Sequence, residues 1–179
     1  MSSKTPNEAL GRLDRQAFLQ AGKLPLIVVL DNIRSLNNIG SVFRTADAFR
    51  LQAIYLCGIT ATPPHREIAR TALGATETIT WQYFATTIEA LNKLKQENWH
   101  IAAIEQAQNK VWLQDFVWPE EQSLAIVFGN EVMGIDEEVI NASDSVIEIP
   151  QFGTKHSFNI AVSAGIVIWE LWKKSGYQL

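Results

Sequence analysis

Apolar residues along the chain form short continuous runs that alternate with segments of helical periodicity. The run at residues 24–30 is rich in β-branched side chains, which is the pattern of a strand buried on both faces. Apolar positions then recur at helical spacing over residues 38–50, and a second apolar run follows at 53–57. These three segments predict a strand–helix–strand unit.

The same alternation continues towards the end of the chain. It predicts helices at residues 87–98 and 157–174, a short helix ending near residue 73, and strands at 78–83, 101–104, 125–128 and 146–149. Strands that alternate with helices are typical of a mostly parallel sheet flanked by helices, so the predicted fold class is α/β. Ligands bind such sheets beyond the carboxyl ends of the strands.

The start of the chain carries signals for a helix of its own. Thr5 fits an N-cap, Pro6 the first helical position and Glu8 a capping box, and Gly22 fits a helix stop. We therefore predict a short N-terminal arm over residues 1–22, followed by one domain over residues 23–179.

Composition narrows the class of protein. Hydrophobic residues make up 47% of the 179 residues and charged residues 19%, which excludes a disordered or coiled-coil chain. No apolar run approaches the ~18 residues of a membrane span, and the polar start lacks a signal-peptide core, so a cytoplasmic protein without a membrane partner is predicted. The single cysteine, Cys57, forms no internal disulfide and cannot make a zinc site alone.

The charge balance bears on a nucleic-acid partner. With a net charge of −4, the field of the whole protein would not attract a polyanion, so RNA or DNA would need a local basic patch. Arg66 and Arg70 lie four residues apart on a predicted helix and offer one basic stripe. An ordinary solvated helix face is the plainer interpretation of that pair.

Three polar segments follow predicted buried strands. In the first, Asn38 fits an N-cap, Gly40 and Ser41 allow close backbone approach, and Arg44 lies in the second helical turn. A helix N-terminus with an arginine suits phosphate binding, although an ordinary capped helix has the same pattern.

The second and third segments are rich in glycine and polar residues. Gly129 and Gly134 bracket Glu131 directly after a strand, without the Gly-Lys-Ser/Thr ending of a phosphate loop, which excludes nucleotide triphosphate binding. Ser157 and Asn159 open the last helix, where Ser157 fits an N-cap. No residue set has metal-ligand spacing, so no metal is predicted.

Taken in order, the three segments resemble the motifs of the SpoU-type (TrmH-like) RNA ribose 2′-O-methyltransferases of the SPOUT superfamily. The matching residues are Asn38, Gly40 and Arg44 in the first motif, Phe128, Gly129, Glu131 and Gly134 in the second, and Ile149, Pro150, Gly153, Ser157 and Asn159 in the third. The resemblance extends over residues 24–172. Phe158 departs from the leucine usual in the family, and His156 from a usually small residue.

The resemblance implies an S-adenosylmethionine-dependent methyltransferase that acts on the 2′-hydroxyl of a ribose in structured RNA, with transfer RNA favoured over ribosomal RNA. It also implies a C-terminal trefoil knot and a homodimer in contact through the apolar last helix. By the same resemblance the cofactor-binding residues would be Gly129, Ile149 and Phe158. The catalytic residues would be Arg44, Asn38, Glu131, Ser157 and Asn159.

The resemblance assigns activation of the ribose hydroxyl to Arg44. Because guanidinium stays protonated, we expect Arg44 to stabilise the developing alkoxide and to clamp a phosphate, with Glu131 holding Arg44 or a backbone amide. One alternative is a catalytically silent knotted RNA-binding or assembly protein, which would not need Arg44, Glu131 and Asn159 together. Another is a dinucleotide-binding domain, but no Gly-x-Gly-x-x-Gly follows the first strand.

Overall fold

A computed structural model describes residues 4–120 and 122–176 of the chain. Its strands are β1 (Leu24–Asp31), β2 (Leu51–Cys57), β3 (Trp81–Phe84), β4 (His100–Ile104), β5 (Val111–Trp112), β6 (Leu124–Phe128) and β7 (Ser145–Glu148). They form one seven-stranded sheet in the order β3–β2–β1–β6–β4–β7–β5, with every pairing parallel. The predicted α/β class with a parallel sheet is confirmed.

The α-helices of the described residues are α1 (Arg15–Gln20), α2 (Leu36–Ala48), α3 (Arg66–Ala72), α4 (Thr87–Gln96), α5 (Glu137–Ala142) and α6 (Ile160–Lys174). They cover the sheet on both faces. One core contains buried side chains of α1, α2, α3 and α6, and the other contains those of α4 and α5. Successive strand residues point to opposite faces, so Val28 enters the first core and Val29 the second.

Two-sided burial explains the continuous apolar runs of the central strands. All five residues of β6 are buried, and so are seven of the eight residues of β1. A strand with water on one face would alternate apolar and polar residues. The runs therefore mark the middle of the sheet, where the carboxyl ends of β1 and β6 lie side by side.

The predicted single helix of the N-terminal arm is wrong. A 3₁₀ helix at Asn7–Leu10 begins after Pro6 rather than Thr5 and ends at Gly11, which adopts a left-handed φ of +61°. A separate helix, α1, starts after Asp14, whose carboxylate accepts a hydrogen bond from Ala17 N at 2.8 Å. The predicted capping box rests on the Glu8 side chain, which lies outside what the structure describes.

The predicted starts of two other helices also need correction. Ser35, not Asn38, caps α2 by accepting a hydrogen bond from the Asn38 backbone N–H at 3.3 Å. Asn159, not Ser157, caps α6 by accepting one from Ala161 N at 2.9 Å. The Asn38 side chain binds Glu131 and Asn159 instead, and helix propensity alone does not report such distant partners.

Among the named strands and α-helices, β5 and α5 escaped the sequence prediction, and so did a 3₁₀ helix at Ala75–Glu77. Strand β5 has two residues, both exposed, and α5 has six residues of which Val139 is buried. Elements this short carry too few apolar positions to show a period. The boundary between the arm and the domain stays a prediction, although Phe18 of α1 is buried in the first core. The trefoil knot stays a prediction as well.

Candidate active site

An open cleft of about 720 Å³ lies at the carboxyl ends of β4, β6 and β7. Residues 129–136, here the β6 loop, and residues 149–159, here the β7 loop, provide most of its walls. Among the predicted site residues, those that line the cleft are Gly129, Glu131, Ile149, Ser157, Phe158 and Asn159. The fold thus brings the second and third motifs together at the strand edge where ligands of parallel sheets bind.

The β6 loop is a tight turn held by its own backbone. Asn130 N donates to Gly134 O at 3.0 Å, and Gly134 N donates to Asn130 O at 2.9 Å. A Cβ atom added at Gly129 would lie 2.3 Å from the Gly134 carbonyl carbon and 2.4 Å from Ile135 N. Only glycine allows the loop to fold back this closely on the end of β6.

Asn130 connects this turn to the end of β1. Its side-chain oxygen accepts hydrogen bonds from Val132 N and Met133 N at 2.9 and 3.1 Å. Its side-chain nitrogen donates to the Asn32 carbonyl at 2.7 Å. The β6 loop is therefore anchored beside the segment that leads into α2.

Glu131 projects from the β6 loop onto the start of α2. Its carboxylate accepts hydrogen bonds from the backbone N–H groups of Arg34 and Ser35, each at 3.0 Å, and from the Asn38 side-chain amide at 3.3 Å. Of the two partners predicted for Glu131, the structure has the backbone amides and not Arg44. Hydrogen bonds from backbone N–H groups at a helix start to a carboxylate are charge-assisted, and they fix the orientation of the carboxylate.

The third motif joins the same network through Asn159. Its side-chain nitrogen donates to the Asn38 side-chain oxygen at 3.2 Å. Asn38 consequently bridges Glu131 and Asn159, and one residue from each predicted motif takes part in a continuous chain of hydrogen bonds. The interaction spans 121 residues of sequence between Asn38 and Asn159.

Hydrogen bonding also sets the charge state of Glu131. Partial burial raises the pKa of its carboxyl group, but the backbone N–H groups of Arg34 and Ser35 and the Asn38 amide lower it by more, and the net pKa lies below the usual value. Glu131 is thus ionised at neutral pH and acts as an acceptor for three donors.

Two residues of the first motif, Gly40 and Arg44, do not line the cleft. Arg44 is exposed on α2, six residues beyond Asn38 or about 9 Å along the helix axis, and it is not among the residues that line the cleft. Gly40 is not at a ligand but against α3, where an added Cβ would lie 2.1 Å from Thr71 Oγ1 and 2.3 Å from Ile68 O. Its lack of a side chain serves helix packing.

Glu105 and Gln106, at the end of β4, line the cleft and were missed from the sequence. Glu105 accepts hydrogen bonds from Ile135 N at 3.1 Å and from Gln106 N at 2.8 Å. The Gln106 side chain donates to the His156 carbonyl, so this pair connects the β6 and β7 loops. Their position after a predicted buried strand was the available signal, the same one that marked the three motifs.

The charged residues that line the cleft are all acidic. Glu105, Glu131 and Glu148 are among its lining residues, whereas no lysine or arginine is. Within residues 4–120 and 122–176, no group of His, Cys, Asp and Glu side chains is arranged to hold a metal ion. None of the helices in those ranges combines the length and hydropathy of a membrane span.

Solved structures share this architecture. The chain superposes on an AdoMet-bound rRNA methyltransferase from Sinorhizobium meliloti with a TM-score of 0.78 and 27% identity, covering 89% of this chain and 59% of that one. It superposes on the A. aeolicus TrmH/SpoU tRNA modifying enzyme with a TM-score of 0.78 and 22% identity, covering 89% and 79%. The fold is that of the SpoU/TrmH class of α/β domains.

The sequence comparison assigns the family. Residues 25–169 match the model of the SpoU rRNA Methylase family, and the chain belongs to that family. It is 30% identical over 147 residues to the 23S rRNA (guanosine-2′-O-)-methyltransferase RlmB of Neisseria meningitidis serogroup B, covering 82% of this chain and 57% of that protein. The chain spans 57% to 66% of the length of the curated relatives that it matches.

Proposed function

We propose that the protein is an S-adenosylmethionine-dependent methyltransferase that modifies the 2′-hydroxyl of a ribose in structured RNA. The observation that carries the proposal is the hydrogen-bonded chain Glu131–Asn38–Asn159 at the edge of the cleft. Each member comes from a different motif of the family, and the chain joins the start of α2 to both cleft loops. A fold that only packed its core would not need this polar connection at the surface.

The residues of the cleft suit S-adenosylmethionine. Its volume of about 720 Å³ is within the range of small-molecule sites. Glu148 is paired with Lys110, but Glu105 and Glu131 have no lysine or arginine partner among the described residues. Two unpaired carboxylates favour a ligand that carries a positive charge, as the sulfonium does, and disfavour a nucleotide phosphate. Ile149 and Phe158 supply apolar surface for an adenine ring, and Gly129 lines the cleft without a side chain.

When bound, the cofactor supplies an electrophilic methyl group, and the chain's own residues must place the ribose oxygen about 3–3.5 Å from it. Asn38 and Asn159 each use one side-chain N–H within the network, and each has a second N–H for ribose or phosphate. Ser157 is a further polar residue on the cleft wall. Glu131 keeps the donors oriented and does not itself take the proton.

Arg44 completes the proposed site from outside the single-chain cleft. Its guanidinium is exposed on α2 and has no ion-pair partner among the described residues, so it is available to RNA. We assign it the stabilisation of negative charge on the ribose oxygen and on an adjacent phosphate, with the proton leaving to phosphate or water.

The same proposal includes a homodimer. Val162 and Trp169, seven residues apart on one face of α6, are 50% and 51% exposed, and Trp169 packs edge-on against Phe49. Met133 and Phe152 beside the cleft are 78% and 97% exposed. Apolar side chains on α6 and around the cleft favour an interface between two copies that lies near both sites.

The decisive test adds purified protein and labelled S-adenosylmethionine to total RNA from cells that lack the gene, followed by mapping of 2′-O-methyl positions. We expect one or a few ribose positions to become methylated. Methylation of transfer RNA would support the substrate that the sequence analysis favours. Methylation of ribosomal RNA would overturn that preference but would still support an RNA methyltransferase. RNA binding without methyl transfer would instead support the catalytically silent alternative.

A further inference from the structure

Four exposed arginines surround the packed pair of helices α2 and α3. They are Arg34, Arg44, Arg66 and Arg70. Within residues 4–120 and 122–176 the ion pairs are Arg15–Glu77, Lys93–Glu97, Lys110–Glu148, and Lys173 and Lys174 with Glu170, so none of the four arginines is neutralised by a carboxylate there. In a chain with a net charge of −4, this is a local concentration of positive charge.

Arg70 is tied directly to the first turn of α2. Its Nη2 donates to the Asn37 side-chain oxygen at 3.0 Å, and Thr71 Oγ1 donates to the Asn37 carbonyl at 3.1 Å. The close approach at Gly40 holds the two helices in this arrangement. Asn37 and Asn38 both lie in the first turn of α2, so Arg70 is held at the same end of that helix as the Glu131–Asn38–Asn159 network, with four of its five N–H donors still available.

Arg66 extends this surface by one helical turn, about 6 Å along α3. It lies at a second cleft, of about 510 Å³, whose walls also include Pro64, Trp81 and Glu77, and the Glu77 carboxylate is paired with Arg15. Arginine beside an aromatic ring is the combination that binds unpaired nucleotides, through phosphate contacts and base stacking. The surface therefore leads from the active-site cleft to a groove that suits a neighbouring nucleotide.

We propose that Arg66 and Arg70 bind the phosphate backbone of the substrate RNA beside the nucleotide that enters the active-site cleft. This inference rests on the proposed function, and it identifies the basic patch that a chain of negative net charge requires. A merely solvated helix face does not explain the hydrogen bond that fixes Arg70 against Asn37, nor the absence of acidic partners among the described residues.

The test compares two double variants of equal charge. Arg66→Gln with Arg70→Gln removes two positive charges from α3, and Lys93→Gln with Lys95→Gln removes two from α4 on the opposite face of the sheet. Each protein is titrated with an RNA that the wild type methylates, at several salt concentrations. We expect the arginine variant to bind about ten-fold or more weakly, with a salt slope shallower by about 1.5–2, and the lysine variant to match the wild type.

Two further measurements distinguish a direct contact with RNA from a loss of cofactor binding or of folding. Affinity for S-adenosylmethionine, measured by calorimetry, should be the same in both variants. Arg66→Lys with Arg70→Lys should recover most of the RNA affinity, since the charges remain, and its melting temperature shows whether the Arg70–Asn37 bond was needed for folding.

The inference would be overturned if the variant with Arg66→Gln and Arg70→Gln had the same affinity and salt slope as the variant with Lys93→Gln and Lys95→Gln. It would also be overturned if the variant with Arg66→Lys and Arg70→Lys stayed folded but did not recover RNA binding. Failure of the proposed function gives a different result. In that case the wild type itself transfers no methyl group to any RNA.

Discussion

The side-chain amide of Asn38 donates a hydrogen bond to the carboxylate of Glu131 at 3.3 Å, across 93 residues of sequence. The contact joins the first helix after β1 to the loop after β6, and β1 and β6 are neighbours at the centre of the sheet. It makes the helix start and the β6 loop one rigid unit at the cleft edge.

Replacing Glu131 by Gln should destabilise the protein. A glutamine offers one acceptor oxygen where the carboxylate offers two, and its amide would face the N–H groups of Arg34 and Ser35. We expect a loss of about 1–2 kcal/mol in the free energy of unfolding, at the lower end for charged hydrogen bonds because Glu131 is largely exposed. Denaturant unfolding of this variant and of Glu120→Gln, an exposed glutamate in a loop, provides the measurement and its control.

The stability contributed by Glu131 should depend on pH. Folding lowers the pKa of this carboxyl group below its usual value of 4.5, so the unfolded chain binds more protons between the two values and stability rises with pH there. The contribution is present above about pH 4.5 and is lost as pH falls through the folded pKa. The gap in unfolding free energy between wild type and Glu131→Gln should shrink from pH 6 to about pH 3. A constant gap would contradict the assignment.

Gly129 and Gly153 both belong to the predicted motifs, but alanine should affect them differently. A Cβ at Gly129 meets the backbone of Gly134 and Ile135, whereas nothing lies within 4 Å of one at Gly153. Gly129→Ala should displace the β6 loop, lower the melting temperature by several degrees and weaken S-adenosylmethionine binding at least ten-fold. Gly153→Ala should leave both quantities nearly unchanged in calorimetry. Equal effects would show that the loop relaxes freely.

Variants of Arg44 should change the rate of methyl transfer without changing the affinity for the cofactor. Arg44→Ala should slow single-turnover methylation by about 100-fold or more, and Arg44→Lys should retain part of the rate because the charge remains without the planar fork. Cofactor affinity should not change, since Arg44 does not line the cleft. Arg12→Ala is a control for the loss of one exposed arginine. Methylation by Arg44→Ala at the wild-type rate would remove Arg44 from the mechanism.

The exposed apolar face of α6 should be covered by a second copy. Trp169→Lys places a charge at that face and should shift the mass in light scattering from dimer to monomer. Leu19→Lys on α1 is matched in exposure, at 53% against 51%, and should leave the dimer intact. A wild type that is monomeric at working concentration would contradict the proposed interface.

The order of strands and helices could be predicted because each apolar run reports burial locally. A strand between two helical layers is apolar along its length, as β6 is and as β1 is up to Asp31 at its carboxyl end, and a helix on that sheet repeats its apolar residues with its own period. The motifs were found for a related reason, since glycines and polar residues directly after such strands stand at the ligand-binding edge. The family assignment rested on these local patterns, and the comparisons confirm it.

The sequence alone did not determine which polar groups become partners. Asn38 and Ser157 read as helix caps, yet Ser35 and Asn159 hold those positions, and Asn38 binds Glu131 and Asn159 instead. Glu105 enters the cleft only because the strand order places the end of β4 between those of β6 and β7. The spacing of apolar residues in a strand or helix can be recognised within a few residues of sequence. A hydrogen bond across 93 or 121 residues depends instead on the order of the strands in the whole sheet. That order, decided by the packing of the complete fold, assembles the site.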